Sequence, residues 1–117
     1  SERAEDLHEL RIRAKRVRYA VELLQPCLGE AYRALHEQIQ AVQETLGAHH
    51  DAHVLRTLVD ERLGLLRDSG AETLTVGVAR YRNVLTDAEE NALLAFDHLG
   101  FDAVSFRTRL EAALIGA

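Results

Sequence analysis

Residues 7–24 read LHELRIRAKRVRYAVELL. Within them Leu7, Leu10, Ala14, Val17, Val21 and Leu24 recur at three- and four-residue steps. That spacing puts six apolar side chains on one face of an α-helix, and it predicts a helix over about residues 4–24. Gln25 and Pro26 should stop it, because proline disfavours helical geometry in the residue before it. Further along, Leu28, Ala31, Leu35, Ile39, Val42 and Leu46 form a second narrow stripe, predicting a helix over 29–46. Gly47 reads as its terminator or bend. A third segment, 48–68, carries Ala48, Ala52, Leu55, Leu58, Val59 and Leu66 as its apolar face, and Asp68-Ser69-Gly70 reads as a loop.

A fourth segment, 71–99, keeps Leu74, Val78, Tyr81, Leu85, Ala88, Ala92, Phe96 and Leu99 in one register. Thr86 and Glu89 have capping-box spacing, but a break there would shift the stripe, so a continuous helix is expected. Gly100 should end it, and Asp102 should cap a short last helix over about 103–115. The connections are short, so successive helices should pack antiparallel. The expected fold is all-α: an antiparallel bundle of four long helices plus a short C-terminal helix, forming a single domain over residues 1–117. Composition agrees. One proline, no tryptophan and six other aromatics in 117 residues leave a core of Leu, Ala and Val.

The formal net charge is −5, which argues against a protein that coats nucleic acid non-specifically. The distribution says something else. Residues 11–18, RIRAKRVR, hold five cations in eight positions and no acid. At about 100° per residue, His8, Arg11, Lys15 and Arg18 fall within a sector of roughly 80°. Tyr19 and Glu22 lie on or beside it, while Arg13 and Arg16 point elsewhere. Stacked like charges cost a few tenths of a kcal/mol per pair, so something should offset them. Three readings are open: a solvated face neutralised by nearby Glu, internal counterions from another helix, or a ligand with many negative charges at short spacing. Arg forks match phosphate oxygens in pairs and Lys adds a mobile point charge. A bound anion would favour protonated His8, so affinity would rise as pH drops.

The pattern also places Asp51 in the middle of the apolar face of its segment. A buried carboxylate needs a partner, and Arg11 or Arg18 are the candidates, making Asp51 a structural counterion for the stripe. His49 and His53 are four apart, but two ligands do not make a metal site. The one cysteine, Cys27, excludes an internal disulfide and has no metal or catalytic spacing. No phosphate-binding glycine loop occurs. No catalytic residue, cofactor or metal is therefore expected. No apolar run approaches a membrane span and no signal peptide is visible, so no membrane partner is expected and the cytoplasm is the expected compartment.

The two blocks LHELRIRAKRVRYAVELL and LHEQIQAVQETLGAHHDAHV together resemble the CHAD domain, the conserved-histidine α-helical domain. The resemblance rests on Leu7, His8, Leu10, Arg11, Ile12, Lys15, Arg16, Arg18 and Tyr19, then on Leu35, Gln43, Leu46, Gly47, His50 and Asp51. It covers about residues 7–54; the rest fits as generic helix. It implies an all-helical protein binding inorganic polyphosphate along a basic groove, with His8, Arg11, Lys15 and Arg18 lining the path and Tyr19, Gln43 and His50 as a second tier. Some relatives are fused to a triphosphate tunnel domain and some attach to polyester granules. A complete member has two similar halves, each with its own His-x-x-Arg block. This chain carries one, in an order resembling the C-terminal half. The resemblance thus implies either a fragment or a homodimer that completes the groove, with affinity for long polymer depending on pairing. The competing functions are nucleic-acid or general polyanion binding, and a scaffold that docks proteins to polyphosphate or granules. The acidic total, Glu9 and Glu22, and the lack of stacking aromatics disfavour nucleic acid.

Overall fold

The computed structural model describes the backbone of residues 2–116 and the side chains of residues 5–116. The described residues are all-α: α1 (Glu2–Leu23), the single turn α2 (Gln25–Leu28), α3 (Ala31–Ser69), α4 (Glu72–His98) and α5 (Ala103–Gly116). α1 stops one residue before the Gln-Pro pair, and Pro26 starts the turn of α2, where its missing N–H costs nothing. Gly70 closes α3 in the left-handed region at φ 77°, its N–H bonding to the Arg67 carbonyl. Asp102 caps α5, accepting from the Val104 N–H at 3.0 Å. Thr86 lies inside an unbroken α4 with its hydroxyl on the Arg82 carbonyl, so the capping-box spacing is not used.

The largest difference from the sequence pattern is at Gly47. The second and third segments are one helix, the 39-residue α3, roughly 58 Å long at 1.5 Å per residue. The reason is packing across the glycine. α1 runs antiparallel to α3 and touches it on both sides of Gly47: Arg18 bonds Gln43, and His8 stacks on His50. A helix interior tolerates a glycine at about 1 kcal/mol, and α1 holds the backbone straight. A methyl group at Gly47 would meet nothing within 4 Å. Gly47→Ala should therefore stabilise the fold by about 0.5–1 kcal/mol, read as a higher urea midpoint at unchanged slope.

The core lies at one end. Val21, Leu28, Leu35, Ile39, Val42, Leu46 and Phe106 are buried there, with Leu10, Val17, Phe96 and Leu110 packed against them. Beyond it α3 and α4 continue as a two-helix hairpin whose buried side chains, among the described residues, are His49, Ala52, Leu63, Leu85 and Ala92. The molecule is consequently long, 66 × 23 × 20 Å, with a radius of gyration of 19.2 Å; a compact chain of this length would have about 13 Å.

Candidate anion-binding site

Two stripes meet where α1 crosses the first half of α3. On α1, His8, Arg11, Lys15, Arg18 and Glu22 advance by three and four residues. On α3, His36, Gln43 and His50 advance by seven, which is two turns. Antiparallel packing sets them side by side. At one end the His8 and His50 rings stack with centroids 5.3 Å apart and planes 30° apart. At the other, Arg18 donates from Nε to Glu22 at 2.9 Å and from Nη1 to Gln43 at 3.0 Å. His36 completes that end, its Nε2 3.4 Å from Glu22 and its ring stacked on Tyr32.

Between the ends lie Arg11 and Lys15. Arg11 is half-buried, and its Nε is enclosed with no hydrogen-bond partner. An enclosed N–H left unmade is costly. Lys15 is exposed, its ammonium 5.9 Å from the Tyr19 ring centre, one turn along. Such a cation–π contact orients the lysine and leaves its charge free for an anion. Among the described residues, His8, Arg11 and Lys15 are in no ion pair, whereas Arg13 is tied to Glu9 at 2.6 Å.

Glu22 is the acid of this ladder. The Arg18 hydrogen bond, reinforced by His36, holds its carboxyl below the ordinary value. His50 is shifted the other way in charge. Burial disfavours its imidazolium, the Arg11 and His8 charges add to that, and Asp51 only partly offsets them, so its pKa falls. The seven-residue spacing of His36, Gln43 and His50 was present in the sequence, and it is the signal that picks out His36.

Asp51 does not anchor the stripe. It is exposed and forms no ion pair with Arg11 or Arg18 among the described residues. The face it shares with Leu55 and Leu58 is open, those leucines being 42% and 47% exposed. α1 and α4 cover the other sides of α3, so an apolar pattern on this face did not mean burial. The acid that sits in the protein is Glu89 of α4. It accepts from Arg56 Nε at 2.6 Å and His53 Nδ1 at 3.0 Å, and lies 3.8 Å from His49 Nε2. Asp60 extends the network, bonding Arg56 and Arg82. Burial pushes the Glu89 carboxyl up, but the hydrogen bonds from Arg56 and His53 outweigh it and hold it below the ordinary range. The histidine pair His49 and His53 thus serves this helix–helix staple. Among the described residues no group of three or more His, Cys, Asp or Glu is disposed to hold a metal, and no helix is long and apolar enough to cross a membrane.

Neither the curated proteins nor the solved structures yield a match to the chain. The family model for the CHAD domain matches residues 1–60. That span takes in α1, α2 and the first thirty residues of α3, hence both stripes of the ladder. With just over half its length matched, and with the matched half supplying the paired stripes, the chain belongs to the CHAD domain family.

Proposed function

We propose that this chain binds inorganic polyphosphate, without catalysis, along the ridge formed by His8, Arg11, Lys15 and Arg18. The observation that carries the reading is the run of His8, Arg11 and Lys15 with no carboxylate among the described residues paired to any of them, backed by His50 from α3. From His8 to Arg18 the ridge is about 15 Å long, enough for several phosphates of one polymer. Arg18 is pre-oriented by Gln43, and Tyr19 steadies Lys15. Glu22 competes with the anion for Arg18 and so sets the far end of the path. A homodimer would present two such ridges, and long polymer would then bind more tightly than short. The test is a titration with polyphosphate of defined length beside DNA and RNA of matched charge. Preference for polyphosphate supports the reading; equal affinity for all three reduces it to general polyanion binding.

His50 gives this binding a pH dependence with a definite sign. In the free protein its pKa is lowered by burial and by the Arg11 and His8 charges, with His53 adding a little and Asp51 opposing. A phosphate beside it favours the imidazolium, so the bound form holds the proton to higher pH. Affinity should rise as pH falls through the bound value, by about three- to tenfold between pH 8 and pH 6, and level off below the free value. His50→Asn should flatten that profile.

A further inference from the structure

α3 carries a second stripe that none of the described residues covers. Ala48, Asp51, Leu55, Leu58, Arg62 and Leu65 advance by 3, 4, 3, 4 and 3 residues, and all six are exposed. This is the heptad seam of a helix that packs against another helix. It faces away from α1, whose contacts on α3 include His36, Gln43 and His50, and away from α4, which meets α3 through His53 and Arg56. The seam begins level with the His8–His50 contact and runs on into the part of the molecule where the hairpin is two helices thick. The apolar groove bounded by Val59, Leu74, Val78 and Tyr81 runs beside it.

The seam is self-complementary about its midpoint. Set against a second copy running the opposite way, Leu55 meets Leu58, Ala48 meets Leu65, and Asp51 meets Arg62. A twofold axis makes each of these contacts twice. The charges select this arrangement. A parallel in-register pair would oppose Asp51 to Asp51 and Arg62 to Arg62. A slip by one heptad in either direction would press Asp51 against an uncharged position, Leu55 or Ser69. Both cost more than the opposed pairing, which is how polar residues at seam positions fix register. Neither Asp51 nor Arg62 has an ion-pair partner among the described residues.

We infer that the exposed seam of α3 is a homodimer interface, in which two copies pair antiparallel through Leu55 and Leu58 and each Asp51 binds Arg62 of the second copy. The same pairing brings Val54 of the second copy opposite Val59, at the edge of the groove between α3 and α4, so that each hairpin covers the other. It supplies a docking surface for the paired form considered above. Its test uses no ligand, so its failure and that of the polyphosphate reading are separate.

Sedimentation equilibrium of the whole chain should give twice the chain mass. Asp51→Arg alone and Arg62→Asp alone should each weaken the dimer at least tenfold, and the double exchange should restore it. A monomeric wild-type chain overturns the inference, as do single variants that pair like wild type or a double variant that does not recover. Cross-linking gives the register independently of any loss of folding in the swaps. In a Cys27→Ser background, Asp51→Cys and Arg62→Cys chains mixed together should join through a short bis-maleimide, and each alone should not. Linkage within either single variant, or none in the mixture, contradicts the antiparallel seam.

Discussion

Replacing Arg11, Lys15 and Arg18 together by alanine should abolish polyphosphate binding and leave the helical signal unchanged. Each residue offers charge-assisted contacts worth about 1.5 kcal/mol or more. Losing three of them lowers affinity by about a thousandfold, at 1.4 kcal/mol per decade. The fold should survive because Lys15 is exposed and the three residues lie beside the core rather than in it. Removing the stacked cations even relieves a few tenths of a kcal/mol of repulsion. Calorimetry with a defined polymer reads the affinity, and circular dichroism reads the fold. Arg13→Ala is the internal control. It removes a cation from the same helix, but one that Glu9 already neutralises, so it should change binding little. An equal loss from Arg13→Ala would mean that net charge, not the ridge, governs binding.

The second large effect concerns Glu89. Glu89→Ala strips the partner from Arg56 and His53 in a part-buried site. Breaking such a pair from one side leaves Arg56 with Asp60 alone, at 3.4 Å, and the cost should be about 3 kcal/mol, the low end for a buried pair, seen as a lower urea midpoint. Glu89→Gln keeps hydrogen-bonding capacity and should lose less. The pH dependence follows from the sign of the shift. Glu89 titrates below its ordinary value of 4.5, so its stabilisation is present above that value and is lost as pH falls through the folded-state value. In Glu89→Gln that part of the acid limb should disappear. Polyphosphate binding at neutral pH should persist in both variants wherever the chain remains folded, because the staple lies on the α4 side of α3.

What the sequence showed and what it hid divide along the same physical line. The helix of the basic stripe, its stop at Gln25-Pro26, the end at Gly100 and the Asp102 cap all depend on neighbours within a few residues, and all were legible. Gly47 was misread as a break because its local signal is real; contacts from α1 on both sides of it override that signal. Asp51 was assigned to a buried face because Leu55 and Leu58 share its register. Periodicity tells which residues share a face, but not whether anything covers it. Glu89 was invisible as a staple, since Arg56 and His53 lie 33 and 36 residues away. Of the proposed ridge, the α1 side could be counted from the sequence. The placement of Gln43 and His50 against it required the antiparallel crossing of α1 and α3.

The central claim is that phosphate lies along the His8 end of this ridge, and the imidazole resonances report on it residue by residue. Titrating the chain with polyphosphate of defined length should move the His8 and His50 signals together, saturating at one stoichiometry, with the His50 signal shifting toward the protonated form. His98, exposed at the C-terminus of α4, should stay where it is. Saturable binding that leaves His8 and His50 unmoved, or that moves His98 as much, would contradict the account.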